Sequence, residues 1–261
     1  MNQDQIKQLN EAVEAVKTRK IENVYFVACG GSKAIFDPAQ FIFDRETTLP
    51  SFVYNANEFI HRCPKGLGEN SLVVTCSHSG NTLETTRATH RQTGDKGALT
   101  ISFSYRVDSP LWKATQHPIS YVWGPESDPG DNNNGMLYRL VFSILNVLQP
   151  NEKYERAIKA CDNLGKVYAA NKAKFAESAK AFGKKYKNNK LIYTMSSGPC
   201  YGVAYSFAIC LLQEMQWIHS EPIHSGEFFH GPFEVTDTDV PFIVLKNYGK
   251  DCDENVKKNW I

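Results

Sequence analysis

The sequence predicts an α/β fold built on parallel sheets, and three observations carry that prediction. Short apolar segments that suit strands alternate with longer segments in which apolar residues recur at helical spacing. The first of these strands, at residues 24–28, is apolar throughout, which is typical of a parallel strand covered on both faces. In both halves of the chain a strand runs into a turn rich in serine and glycine before a helix. This recurrence suggests a duplicated unit.

The elements follow from local patterns taken in chain order. Strands are predicted at 24–28, 51–54, 71–76, 98–103, 119–123, 191–195 and 240–245. Helices are predicted at 2–19, 58–61, 83–92, 134–148, 153–170, 172–187 and 201–212, with Ser109-Pro110 as the start of one more. Pro150-Asn151-Glu152 is the best candidate for a linker, so we predict two domains at 1–150 and 151–261. Residues 253–260 resemble a helix that has just started, and we expect a truncated chain.

Composition excludes several classes of protein. The 261 residues include 42% apolar and 22% charged side chains, and the net charge of +1 comes without a basic block, so nucleic acid is not expected as a partner. No apolar stretch approaches the ~18–20 residues that span a bilayer, and the polar N-terminus is unlike a signal peptide. Seven cysteines with no C-x-x-C argue against a disulfide framework. We expect a reduced cytoplasmic protein.

Known cofactor and metal patterns are also missing from the sequence. No set of histidines and carboxylates has metal-ligand spacing, and G-x-G-x-x-G and G-x-S-x-G do not occur. We therefore predict chemistry that needs neither a metal nor another cofactor.

A carboxylate and a histidine form the first candidate catalytic pair. Glu214 follows the uncharged segment 201–212, and His230 stands sixteen positions later in a turn fixed by Gly231 and Pro232. Such a pair can supply one base and one acid. Either residue taken alone is more often solvated or structural than catalytic, and that alternative stays open.

The second candidate site is a turn rich in hydroxyl groups. Ser77, Ser79 and Thr82 lie between a predicted strand and a predicted helix, where free N–H groups and the helix dipole favour an anion. Gly80 lets the backbone approach a ligand closely. The pattern therefore suits a phosphate monoester, with a plain helix cap as the alternative.

These segments together resemble the SIS (sugar isomerase) domain family. The motifs are E-x-x-x-I-H-x-E, then S/A-G-E-x-x-H-G-P, and S-x-S-G-x-T-x-E, which ends here at Glu84. They resemble the isomerase half of glucosamine-6-phosphate synthase, and EMQWIH with HSGEFFHGPFEVTD is most similar to deglycases that split phosphorylated Amadori compounds. The resemblance implies tandem SIS subdomains, each a flavodoxin-like αβα sandwich with a parallel sheet.

The resemblance also implies roles for individual residues. Glu214 matches the family's proton-moving base, and His230 matches the histidine that assists ring opening. Substrate-binding roles are implied for Gly31, Ser32, Ser77, His78, Ser79 and Thr82. The synthase has a glutamine at the position of His78, so the role of this histidine is open.

On this resemblance we expect a deglycase that converts an Amadori 6-phosphate and water to glucose 6-phosphate and a free amino acid. The particular residues of the second motif favour 6-phosphofructose-aspartate as the substrate, although the sequence does not fix which amino acid is released. One alternative is an aldose–ketose sugar-phosphate isomerase or an aminosugar-phosphate enzyme, and another is a non-catalytic SIS protein that senses a sugar phosphate. Retention of both Glu214 and His230 favours an enzyme. The family further implies a homodimer with its sites at the subunit interface.

Overall fold

Five parallel strands form the first sheet of the computed structural model, which describes residues 1–246. Their bounds are Asn23–Ala28 (β1), Ser51–Asn55 (β2), Ser71–Cys76 (β3), Leu99–Ser104 (β4) and His117–Ser120 (β5), and their order in the sheet is β2-β1-β3-β4-β5. Every residue of β3 and β4 is buried, as expected where helices cover both faces of a parallel sheet. The predicted α/β fold class is confirmed.

Helices lie before, between and after these strands, and several of them cover the sheet. Their bounds are Gln3–Lys17 (α1), Gly30–Ala34 (α2), Phe36–Glu46 (α3), Ala56–Arg62 (α4), Leu83–Lys96 (α5), Pro110–Ala114 (α6), Asn133–Leu148 (α7), Glu152–Ala160 (α8) and Leu164–Tyr186 (α9). Successive residues of β1 point to opposite faces of the sheet. Phe26 packs in the larger apolar core with Phe43 of α3 and Leu140 of α7, whereas Tyr25 packs in the smaller core with Phe59 of α4.

The strand order creates one crevice at the carboxyl edge of this sheet. β1 pairs with β2 on one side and with β3 on the other. The connections that leave β1 and β3 therefore diverge, and ligands of open α/β sheets bind at such a switch point. The turns that follow these two strands contain all six predicted substrate-binding residues.

The chain divides into two compact units, Met1–Lys174 and Phe175–Ile261. The described residues of the second unit form three parallel strands, Tyr193–Ser196 (β6), Pro222–His224 (β7) and Phe242–Val244 (β8), in the order β7-β6-β8. β7 has no apolar pattern and was not predicted. That the two units are tandem copies of one subdomain stays a prediction.

The division between the units falls later than the predicted boundary at residue 150. α8 packs on the first unit, where the buried Tyr154 hydroxyl lies 3.2 Å from Oε2 of Glu46. The following break in the helix also differs from the prediction at residue 171. It lies at a 3-10 turn, Cys161–Asn163, because Asp162 of this turn binds buried Arg139 of α7 at 2.7 Å.

The end of β5 and the helix predicted at 201–212 also differ from the prediction. β5 ends at Ser120 instead of residue 123, since the N–H of Val122 donates to Asp131 at 3.0 Å and leaves the sheet. The helix predicted at 201–212 is an α-helix over Tyr201–Ser206 (α10), followed by a π-helix over Phe207–Met215. Its exposed residues include Val203 and Leu211, so the segment is buried on one side only.

Within residues 1–246 no helix is long and apolar enough to cross a membrane. The helix expected at residues 253–260, and the truncation inferred from it, lie outside the described residues.

Candidate functional site

The turn that follows β3 presents the predicted hydroxyl groups at the carboxyl edge of the first sheet. Buried Ser77 is held by its N–H, which donates to Phe103 at 3.1 Å, and its Oγ lies 2.9 Å from Oγ1 of Thr82. Thr82 is the N-cap of α5, yet its side chain makes no capping hydrogen bond. Its hydroxyl is therefore directed to Ser77, and the first N–H groups of α5 are not satisfied by the cap side chain.

Gly80 allows this turn to pack directly on the start of α6. Its φ of +65° lies in the left-handed region, and a Cβ built on it would stand 2.0 Å from Oγ of Ser109. The carbonyl of Gly80 accepts a hydrogen bond from the N–H of Leu111 at 3.0 Å. The glycine is thus required by both conformation and packing, and it holds the turn in a fixed position.

The turn that follows β1 is joined to the end of β3 by one side-chain contact. Ser32 lies in the short helix α2, and its hydroxyl hydrogen-bonds to the thiol of Cys76, the last residue of β3. Burial raises the pKa of this thiol to about 12, so it stays protonated. Gly31 precedes Ser32 in the same helix. The structure therefore brings the two predicted substrate-binding turns together at the switch point.

Three aromatic side chains contact His78, which is itself exposed. The imidazole stacks on Tyr105, with ring centroids 5.1 Å apart, and meets the edge of Trp123 at 5.2 Å. Its Nδ1 lies 2.9 Å from the hydroxyl of Tyr121. Partial burial lowers the pKa of His78, and the nearby charge of Arg106 lowers it further. The ring is therefore neutral at pH 7.

The hydrogen bond to Tyr121 also decides which nitrogen of His78 holds the proton. Tyr121 is buried, and its pKa is raised chiefly by that burial, so the phenol keeps its proton. Over residues 1–246 His78 Nδ1 is the one acceptor found for that hydroxyl. We infer from this that Tyr121 donates to Nδ1 and that the imidazole carries its proton on Nε2. His78 is thus a fixed, neutral hydrogen-bond donor one residue from Ser77 and Ser79.

Tyr121→Phe should allow His78 to populate both of its neutral tautomers. Nitrogen-15 NMR of the imidazole should show Nε2 protonated in the wild type, with a pKa below the usual ~6.5. In the variant, Nδ1 loses its donor, so we expect a mixture of tautomers and a higher pKa, because a bond that stabilised the neutral ring is gone.

Tyr105→Phe is the matched control for this measurement, since it keeps the stacked ring and removes an exposed hydroxyl. Both variants should keep the same aromatic rings in contact with His78. An unchanged tautomer and pKa in Tyr121→Phe would contradict the assignment.

Glu214 lies in the π-helix of the second unit, one residue before its end at Met215. The segment ends at Trp217, which takes a left-handed φ of +57°, while the N–H of Ile218 bonds to Leu212 at 2.9 Å. π-Helices are rare and are found mostly at functional sites. Glu214 is exposed, and so are the nearby Met215 and Trp217.

His230 ends the 3-10 helix Ser225–His230 and is exposed. His224 begins the same helix by accepting a hydrogen bond from the N–H of Gly226 at 3.2 Å. Gly231, with φ of +142°, turns the chain sharply after His230. In the described part of the chain no hydrogen bond or ion pair joins His230 to Glu214.

Sequence reasoning missed the aromatic residues around His78. The sequence places Tyr121 and Trp123 in the strand predicted at 119–123, because an apolar run gives no sign of where strand pairing stops. Their contact with His78 is long-range, since His78 and Tyr121 are 43 positions apart in the sequence. Only the parallel pairing of β4 with β5 brings them to the same edge as β3.

Comparisons with known proteins show the family to which the chain belongs. Residues 17–148 match the model of the SIS domain. The fructosamine deglycase FrlB of Bacillus subtilis (strain 168) is 49% identical over 240 residues, which cover 92% of this chain and 73% of that protein. The fructoselysine 6-phosphate deglycase of Escherichia coli (strain K12) is 29% identical over 237 residues, covering 89% of this chain and 67% of that protein.

Solved structures show the same fold. A Bacillus subtilis structure provisionally described as a phosphosugar isomerase is 49% identical, with a TM-score of 0.88 over 90% of this chain and 72% of that one. The C-terminal domain of glucosamine-fructose-6-phosphate aminotransferase from Francisella tularensis is 20% identical, with a TM-score of 0.76 over 97% of this chain and 78% of that one. The chain belongs to the SIS domain family, and it is an enzyme of that family.

Proposed function

We propose that the chain is a deglycase for fructosamine 6-phosphates, which it converts with water to glucose 6-phosphate and a free amino acid. The observation that carries this proposal is the hydroxyl-rich turn Ser77–Thr82 at the switch point, in a chain 49% identical to a fructosamine deglycase. 6-Phosphofructose-aspartate remains one candidate substrate, because the residues of the second motif favour it. Release of glucose 6-phosphate from synthetic Amadori 6-phosphates, followed with a coupled dehydrogenase, tests the proposal.

The turn after β3 would hold the phosphate. The hydroxyls of Ser79 and Thr82 and the first N–H groups of α5 are hydrogen-bond donors at the positive end of a fourteen-residue helix. Gly31 and Ser32 would line the sugar, and His78 would donate its Nε2 proton to a substrate oxygen. Anchoring the phosphate would position C1 and C2 for proton transfer.

Replacing Ser79 and Thr82 together by alanine should weaken phosphate binding. Charge-assisted hydrogen bonds contribute roughly 1.5–3 kcal/mol each, so the Kd of fructose 6-phosphate should rise at least about tenfold in calorimetry. Thr18→Ala with Ser178→Ala removes two exposed hydroxyls elsewhere and should leave the Kd unchanged. An unaltered Kd in the Ser79/Thr82 variant would mean that the turn only starts a helix.

Glu214 and His230 would supply the acid–base chemistry. His230 assists opening of the furanose ring. Glu214 removes a proton from C1, which gives an enaminol, and then returns a proton to C2 while the nitrogen loses its own. The resulting C1 imine is hydrolysed by water, which releases the amine and leaves the aldehyde of glucose 6-phosphate. No metal or other cofactor is needed, because every step is a proton transfer or an addition of water.

An aldose–ketose isomerase is the second candidate function, favoured by the 49% identical structure described as a phosphosugar isomerase. An isomerase would use the same base and acid, but its substrate has no amine on C1, so no imine would form and no amine would be released. Incubation with fructose 6-phosphate separates the two, since an isomerase forms glucose 6-phosphate from it and a deglycase requires the amine.

We also propose that the enzyme acts as a homodimer with its sites at the subunit interface. Large apolar side chains are exposed on the second unit, among them Met215, Trp217 and Phe229 at 65%, 88% and 48% exposure. Exposed apolar groups of this size are typical of surfaces that a partner covers.

A further inference from the structure

A groove of about 720 Å³ lies beyond the carboxyl end of β5 in the first unit. One wall is the loop that joins β5 to α7, and the other is the first part of α9. A volume of this size is typical of small-molecule sites. The proposed roles of the phosphate turn, Glu214 and His230 make no use of it.

The base of the groove is held rigidly. A Cβ built on Gly135 would stand 2.3 Å from the carbonyl oxygen of Gly130, so α7 contacts the loop backbone directly. Buried Arg139 donates to the same carbonyl at 3.3 Å and to Asp162 at 2.7 Å, which joins the loop to the chain before α9. The two walls are therefore fixed relative to each other.

The chemistry of the groove favours an anion. Among the described residues that line it none carries a carboxylate, and Glu126, Asp128 and Asp131 of the same loop do not line it. Lys172 supplies the one positive charge of this lining, with its ammonium 5.9 Å from the ring centroid of Tyr168. In the described part of the chain no carboxylate lies within ion-pair distance of Lys172. Its charge is thus available to a ligand.

The lining of the groove also includes a second side chain that can donate a hydrogen bond. The side-chain oxygen of Asn132 caps α7 by accepting from the N–H of Gly135 at 3.0 Å. Its amide nitrogen is the end that remains to donate, and Asn132 lines the groove. An ammonium and an amide can together bind the two oxygens of a carboxylate.

The groove begins beside the proposed phosphate turn. Trp123 lines the groove and also contacts the ring of His78, at 5.2 Å between centroids. His78 stands between Ser77 and Ser79 in the sequence. A ligand held by its phosphate at the turn would therefore extend past Trp123 towards Lys172.

We propose that this groove binds the amino-acid half of the substrate, with the ammonium of Lys172 paired to its carboxylate. The inference rests on the proposed deglycase function and identifies Lys172 as the residue that recognises the group on the C1 nitrogen. Trp123 and Tyr168 form apolar walls for the rest of the amino acid. Lys172 is a specificity residue here, since it contacts no reacting atom.

A comparison of carboxylate and carboxamide ligands tests this proposal. The probes are fructose 6-phosphate and the 6-phosphates of fructosyl-glycine and fructosyl-glycinamide, with affinities measured by calorimetry. Wild-type protein should bind the glycine conjugate about tenfold more tightly than the glycinamide conjugate. Lys172→Met should abolish that preference, Lys172→Arg should restore much of it, and none of the variants should alter the affinity for fructose 6-phosphate.

Lys166→Met is the matched control, because Lys166 lies on the same exposed helix but does not line the groove. It should keep the full preference for the carboxylate. The proposal is overturned if wild-type protein shows no preference for the carboxylate or if Lys172→Met keeps that preference. It is also overturned if Lys172→Met lowers the affinity for fructose 6-phosphate as much as it lowers the affinity for the glycine conjugate. Failure of the deglycase proposal looks different: the conjugates would bind with the stated preference but release no glucose 6-phosphate.

Discussion

Glu214→Gln is expected to abolish release of glucose 6-phosphate from an Amadori 6-phosphate while it leaves substrate affinity nearly unchanged. Glutamine keeps the size and the hydrogen-bonding reach of the carboxylate, but it cannot accept the C1 proton. General acid–base catalysis contributes about 10²–10⁴-fold, so kcat should fall by at least that range. The position of Glu214 in a π-helix supports a functional rather than a purely structural role.

Exchange of the C1 hydrogens with deuterated solvent isolates the proton-transfer step. Wild-type protein should exchange them, and Glu214→Gln should not. Glu221→Gln changes another exposed carboxylate of the same segment and should exchange at the wild-type rate. If Glu214→Gln exchanges as fast as wild type, another residue is the base.

Mixing two inactive variants tests whether the base and His230 act from different subunits. His230→Ala retains Glu214, and Glu214→Gln retains His230. If His230 of the partner subunit completes each site, a mixed dimer has one intact site, and random mixing should restore about a quarter of the wild-type activity. If both residues of a site belong to one subunit, the mixture should stay inactive.

Gly80→Ala should strongly destabilise the first unit. The new Cβ would stand 2.0 Å from Oγ and 2.4 Å from Cβ of Ser109, at a backbone φ of +65°. Overpacking and left-handed strain each cost about 1–3 kcal/mol, so urea denaturation should show a loss of several kcal/mol in the free energy of unfolding. Any folded protein should bind fructose 6-phosphate more weakly, because the turn must move.

Gly94→Ala is the control for that experiment. Gly94 lies inside α5, which begins at the same turn, and an added Cβ would meet nothing within 4 Å. Alanine is the better helix former by about 1 kcal/mol, so this variant should be as stable as wild type or more so. Equal losses in the two variants would show that the close approach at Gly80 is unimportant.

Local sequence determined most elements and the hydroxyl-rich turn that follows β3. The strand predicted at 71–76 is β3, Ser71–Cys76, because six consecutive uncharged residues that are buried on both faces specify both the strand and its limits. Ser109-Pro110 starts α6 as predicted, with the serine side chain accepting from the N–H of Trp112. These features depend on side chains a few residues apart, so their pattern is visible in the chain itself.

Tertiary packing decided the helix that carries Glu214. The sequence indicates an ordinary helix at 201–212, but from Phe207 the turns widen into a π-helix. Leu212 packs with Ile192 and Ile218, which arrive from other elements. A helix can change its hydrogen-bond register to suit such contacts, and no local apolar period records the change.

The sequence by itself thus determined the α/β class, the family and the hydroxyl turn, because repeating patterns and short motifs encode them. Only the tertiary structure decided the tautomer of His78 and the lining of the Lys172 groove. Tyr121 reaches His78 across 43 positions, and the groove joins the loop after β5 to α9. Such contacts depend on the order of strands in the sheet and on the packing of helices. A one-dimensional pattern does not specify either of them.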